Sequence, residues 1–110
     1  MIKEIKLKNI EIEDFEKSLV VRGAGKLLKI HLVSKDVKVK ILTREGELIF
    51  DNDQSGVYYP RANISARGTI TLESDKLDYY YFMKGLLIIF EKNTLMLKKV
   101  EKLSIIYENA

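Results

Sequence analysis

The feature that most constrains this chain is a period-two alternation of apolar and polar side chains that recurs along most of its 110 residues. Two is the repeat that lines up side chains on one face of a strand, and an amphipathic helix cannot use it. Leu28, Ile30 and Leu32 alternate with Lys29 and His31, and Val37, Val39 and Ile41 alternate with Lys38 and Lys40. Ser34-Lys35-Asp36 joins the two runs, which reads as a hairpin. Ile5 and Leu7 change phase to Ile10 and Ile12 across Lys8-Asn9, the mark of a bulge or tight turn inside an opening strand. Further strands are expected over 48–50, 57–59, 69–73, 77–82, 86–90, 95–98 and 103–107. The best helical window, 98–105, runs into the β-formers Ile105, Ile106 and Tyr107, so it too reads as strand. The expected fold is all-β: an antiparallel β-sandwich, jelly-roll-like or Ig-like, of about 8–10 short strands. Residues 1–110 fit a single domain.

Composition narrows the chemistry. With no Cys and a single histidine, His31, the chain has no thiol nucleophile, disulfide or multi-histidine metal site. The longest apolar run, Gly85 to Phe90, is far too short to span a bilayer, and the first residues do not read as a signal peptide. A soluble protein with no membrane partner is expected. The formal charge is +3, and the whole excess falls before Asp51.

Several motifs invite chemistry. Arg22 to Leu27 resembles part of a phosphate loop, but Val20 and Leu27 occupy positions where that loop needs Gly and Ser or Thr. The plainer reading is a glycine turn taking positive φ between two strands. Asp51, Asp53 and Ser55 followed by Gly56 reproduce the first half of a calcium loop, as candidate metal ligands. Ala62 stands where the bidentate Glu belongs, so a carboxylate such as Asp75 or Asp78 would have to complete the site. The other reading is an acidic turn whose side chains bond their own backbone. No other cofactor is implied.

Lys29, His31, Lys38 and Lys40 are expected to share one basic face of the hairpin. Such a face could meet a phosphate backbone, yet nucleic-acid sheets interleave stacking aromatics, and this one offers only His31. Nucleic acid is therefore disfavoured as a partner against a solvated lysine face. Aromatics gather instead at Tyr58-Tyr59 and Tyr79-Tyr80-Tyr81-Phe82, with Arg61 and Arg67 nearby. Consecutive strand residues point to opposite faces, so part of each cluster must lie outside its own core. Tyr58, Tyr59, Arg61, Tyr79, Tyr80, Tyr81 and Phe82 form the expected interface, since Tyr and Arg are enriched where proteins meet. Catalysis has little footing: His31 lies in a lysine-rich outward run with no serine beside it, and paired acids would need a cleft that a small sandwich rarely offers. The chain is expected not to be an enzyme.

Residues 21–60 read V-R-G-A-G-K-L-L-K-I-H-L, then V-K-V-K-I-L, G-E-L-I-F and Y-Y-P-R. This pattern resembles small β-sandwich structural proteins of phages and other double-stranded DNA viruses, in which a glycine-opened strand, a turn-bearing second strand and a tight Tyr-Pro corner recur. The resemblance implies a virion component assembled in the host cytoplasm, such as a capsid decoration, spike or tail-associated subunit. It also implies a homo-oligomer bound to other structural proteins of a particle, and it supplies no catalytic residue. A carbohydrate-binding module is the alternative, stacking sugars on the same tyrosines and holding a structural calcium. A nucleic-acid-binding protein using the basic face is the next. The high Lys, Ile and Glu content fits a thermophilic source.

Overall fold

The computed structural model describes residues 2–59 and 79–109. Among these residues nine strands form: β1 (Ile2–Ile12), β2 (Glu16–Arg22), β3 (Gly25–Ser34), β4 (Lys38–Thr43), β5 (Leu48–Asn52), β6 (Gly56–Tyr58), β7 (Tyr80–Phe82), β8 (Gly85–Glu91) and β9 (Lys98–Asn109). No helix occurs among the described residues. The strand expected over 69–73, and the start of that expected over 77–82, lie outside them. Every pairing is antiparallel, in two sheets. Sheet A runs β1-β9-β3-β6, with β7 also on β3, and sheet B runs β2-β8-β4-β5.

β6 and β7 occupy one edge line. Tyr58 lies opposite Ile30 and Tyr80 opposite Leu27, so the two pieces follow one another along β3 in the same direction. With these two counted as one strand, the strands of the described residues run 1-8-3-6 in sheet A and 2-7-4-5 in sheet B. That is the strand order of a jelly roll, two Greek keys folded into a sandwich.

The alternation produces the core directly. Leu27, Ile30 and Leu32 of β3, Val39 and Ile41 of β4, Leu86, Ile88 and Phe90 of β8, and Leu103 and Ile105 of β9 are all fully enclosed between the sheets. Phe50 of β5 meets Tyr58 of β6 edge-to-face at 5.0 Å, closing one side of the sandwich. The phase change in β1 is present as expected. Asn9 takes φ 51°, Ile5 and Leu7 pack on the core before it, and Ile10 and Ile12 are buried after it. Gly23 takes φ 94° between β2 and β3, the expected glycine turn.

Two expectations about elements are corrected. β3 and β4 are not a hairpin, because they lie in different sheets. The segment between them crosses the sandwich, aided by Asp36 at φ 62° and a hydrogen bond from Ser34 Oγ to the Val37 carbonyl at 3.1 Å. Residues 95–97 form a connecting loop, and the last strand runs unbroken over Lys98–Asn109.

Candidate functional site

The correction to the hairpin divides the expected basic face in two. Lys29 and His31 point outward from sheet A, whereas Lys38 and Lys40 point outward from sheet B, on the opposite side of the molecule. On sheet B both lysines are matched. Lys40 Nζ reaches Glu91 at 2.9 Å and Lys38 Nζ reaches Asp51 at 3.6 Å. The hydrogen bond to Glu91 holds the Lys40 ammonium above its ordinary pKa. A solvated, neutralised ladder results.

The outer face of sheet A differs. Because Ile5 and Leu7 point inward, Glu4, Lys6 and Lys8 of β1 point outward. The register sets Lys8 beside Lys102, Lys6 and His31 on either side of Ser104, and Glu4 and Lys29 on either side of Ile106. Glu4 accepts a 2.6 Å hydrogen bond from Ser104. That bond, with the charges of Lys6, Lys102 and Lys29, holds its carboxyl below the ordinary range despite some desolvation. Partial burial, then Lys102 and Lys29, push the His31 imidazole below its ordinary value. The lysines add a positive field to both shifts, behind the hydrogen bond at Glu4 and burial at His31. Among the described residues, none of Lys6, Lys8, Lys26, Lys29 and Lys102 has an acidic partner within ion-pair distance.

The tyrosine clusters resolve by alternation along the β6–β7 edge. Tyr58 and Phe82 face inward and are each 1% exposed, so they leave the expected interface for the core. The Tyr58 hydroxyl donates to the Gln54 carbonyl. Phe82 lies 6.1 Å from Tyr107. Tyr80 packs partly on the core and donates to Glu47 Oε2 at 2.9 Å. Burial first, then Glu47, raise its phenol to about 12.

The neighbours of these residues face the other way. Tyr79 and Tyr81 are 46% and 48% exposed, and alternation from Tyr58 turns Tyr59 outward with them. These rings therefore border the lysines of sheet A. Lys26 Nζ stands 4.7 Å from the Tyr79 ring centroid, a cation–π contact, and Tyr81 pairs with Lys26 across the strands. Arg61, also expected at the interface, lies outside the described residues, as do Arg67, Asp75 and Asp78.

The candidate calcium ligands do not converge. Asp51 faces Lys38. The Ser55 hydroxyl accepts from the Ser34 amide at 2.8 Å and donates to the Ser34 carbonyl at 2.9 Å. Asn52 Oδ1 accepts from the Gln54 amide at 2.9 Å. Asp53 lines a cleft of about 290 Å³ with Asp36 and Glu91, where Lys38 and Lys92 supply positive charge. Among the described residues no group of three acidic or histidine side chains is placed to hold a metal ion. Ser55 is thus tied to β3 and Asp51 to Lys38, and within the turn it is Asn52, not the Asp and Ser side chains, that bonds the backbone.

One residue that the sequence did not single out organises the end of the sandwich. Lys92 is buried, and its ammonium donates to the carbonyls of Glu13 at 2.8 Å and Met96 at 2.7 Å. It ties together two loops whose tips carry the exposed Phe15, Leu95, Met96 and Leu97. A lysine after an apolar strand gives no advance sign of this role.

No family model matches the chain, and no curated protein or solved structure matches it either.

Proposed function

We propose that this protein is a non-enzymatic structural component that attaches to a larger particle through the outer face of sheet A. The observation that carries the reading is the row of outward Tyr59, Tyr79 and Tyr81 beside lysines with no ion-pair partner among the described residues. Tyrosine supplies large, rigid contact area, and uncompensated lysines favour an acidic surface opposite. The jelly-roll strand order supports a virion role, since that architecture recurs in capsid domains, although it also serves lectins.

The test is association with particles from the protein's own source, read on a density gradient. Tyr79→Ala combined with Tyr81→Ala should lower the particle-bound fraction about tenfold or more while leaving the thermal midpoint within a few degrees. Leu95→Ala, at the apolar loop tip, should leave association intact. Loss on Leu95→Ala and retention in the double tyrosine variant would contradict the reading.

A second reading has a specific observation in its favour. The tyrosines and lysines share one face, which is the aromatic and basic combination that single-stranded nucleic acid requires. In that case affinity for an oligonucleotide falls steeply with salt. A carbohydrate would stack on the same rings with little dependence on salt.

A further inference from the structure

The sheet edges are guarded unequally. β1 carries Lys3, Lys6 and Lys8 and is bent at Asn9. β5 is five residues long, and its pairing with β4 is bulged. The edge formed by β6 and β7 consists of two three-residue pieces. Each of these devices discourages another strand from adding on. β2 is guarded only by the charged residues at its ends, Glu16, Lys17 and Arg22. Its seven residues pair one for one with β8, without a bulge or proline, and Leu19-Val20-Val21 runs through its middle. Val20 is 48% exposed, and among the described residues no strand pairs the other side of β2.

We propose that β2 pairs antiparallel with β2 of a second copy of this chain, about a two-fold axis at Leu19. With Leu19 opposite its own symmetry mate, all seven residues of the strand find partners. Glu16 of each copy then lies opposite Arg22 of the other, Ser18 opposite Val20, and Lys17 opposite Val21. Glu16, Ser18, Val20 and Arg22 share the outer face while Leu19 and Val21 pack on the core, so this register joins core to core and outside to outside. A slip of one residue would oppose inward to outward side chains. A slip of two would separate Glu16 from Arg22 and leave strand ends unpaired. The charge match at both ends is thus a property of the full-length register, as a self-complementary interface requires.

The outer face supports the same partner. Val20 lies in one cross-strand row with Leu87, Leu42 and Leu48, an apolar stripe across sheet B that would meet Ser18 and then Ile89 of the other copy and cover the exposed Val20. The axis of such a pair is normal to the sheet, so both sheet A faces look the same way. If those faces dock as proposed above, the dimer is bivalent and gains avidity without new contacts. The β2 pairing itself stands apart from that reading.

Sedimentation velocity on the full chain tests it. The wild type should be a dimer with a micromolar-range dissociation constant. Glu16→Arg alone and Arg22→Glu alone should each weaken the dimer by tenfold or more, because each sets like charges opposite at both ends. Glu16→Arg combined with Arg22→Glu should restore it, and circular dichroism should show every variant folded. A wild type that stays monomeric at about 100 μM would overturn the proposal, since edge pairing of this kind predicts micromolar affinity. So would a dimer indifferent to both single changes, or a double variant that remains a monomer. Particle association of a charge-swap monomer, measured separately, reports on sheet A and not on this interface.

Discussion

At the scale of single residues, His31 illustrates how position decides chemistry. Its ring lies among Lys29 and Lys102 on a half-shielded sheet face, which disfavours the imidazolium. The folded protein therefore binds this proton less tightly than the unfolded chain, whose histidine titrates near 6.5. The sign follows: the contribution to stability is complete above about pH 6.5 and is lost as pH falls through the lower folded value. Urea midpoints measured between pH 7.5 and 5 should fall more for the wild type than for His31→Gln. Equal slopes would place His31 outside the positive field. The tyrosines show what a sequence can and cannot reveal at this scale. Alternation requires one of Tyr58 and Tyr59, and part of Tyr79 to Phe82, to lie outside the core. Which member turns inward depends on β3 opposite, and that pairing joins positions far apart in the chain.

At the scale of elements, the strands were legible because each needs only its own two-residue period, and the phase change at Asn9 was legible for the same reason, although β1 and β9 keep one register across it, without a bulge. The β3–β4 connection was not. Three polar residues serve equally well to turn a hairpin or to cross between sheets, and the apolar faces of both strands look the same in either case. β2 was missed as a named strand since Glu16, Lys17 and Ser18 give it no alternation at its start. β8 begins where the chain passes from sheet A to sheet B, and Gly85 sets that start with φ 118° opposite Arg22. A Cβ there would stand 2.1 Å from the Val21 carbonyl oxygen. Gly85→Ala should thus cost more than about 2 kcal/mol, combining a left-handed backbone with a backbone clash. Chemical denaturation checks this, and a loss below about 0.5 kcal/mol would mean that the β2–β8 pairing starts elsewhere.

At the scale of the molecule, the two sheets divide their labour by charge. Sheet B neutralises its outward lysines with Glu91 and Asp51, whereas sheet A sets Lys6, Lys8, Lys26, Lys29, Lys99 and Lys102 against Glu4, Glu11 and Glu108 on its outer face, with tyrosines along one border. The net basic excess before Asp51 was visible in the sequence, but its concentration on one side was not, because β1, β3 and β9 are brought together only by the fold. Titration of isotope-labelled protein with a ten-nucleotide thymidine oligomer at low salt, followed by two-dimensional NMR, tests this asymmetry most directly. Shifts should be confined to outward residues of β1, β9 and β3 and to Tyr79 and Tyr81, and should weaken as salt rises. Shifts centred on Lys38 and Lys40 of sheet B, or no shifts at low salt, would contradict it.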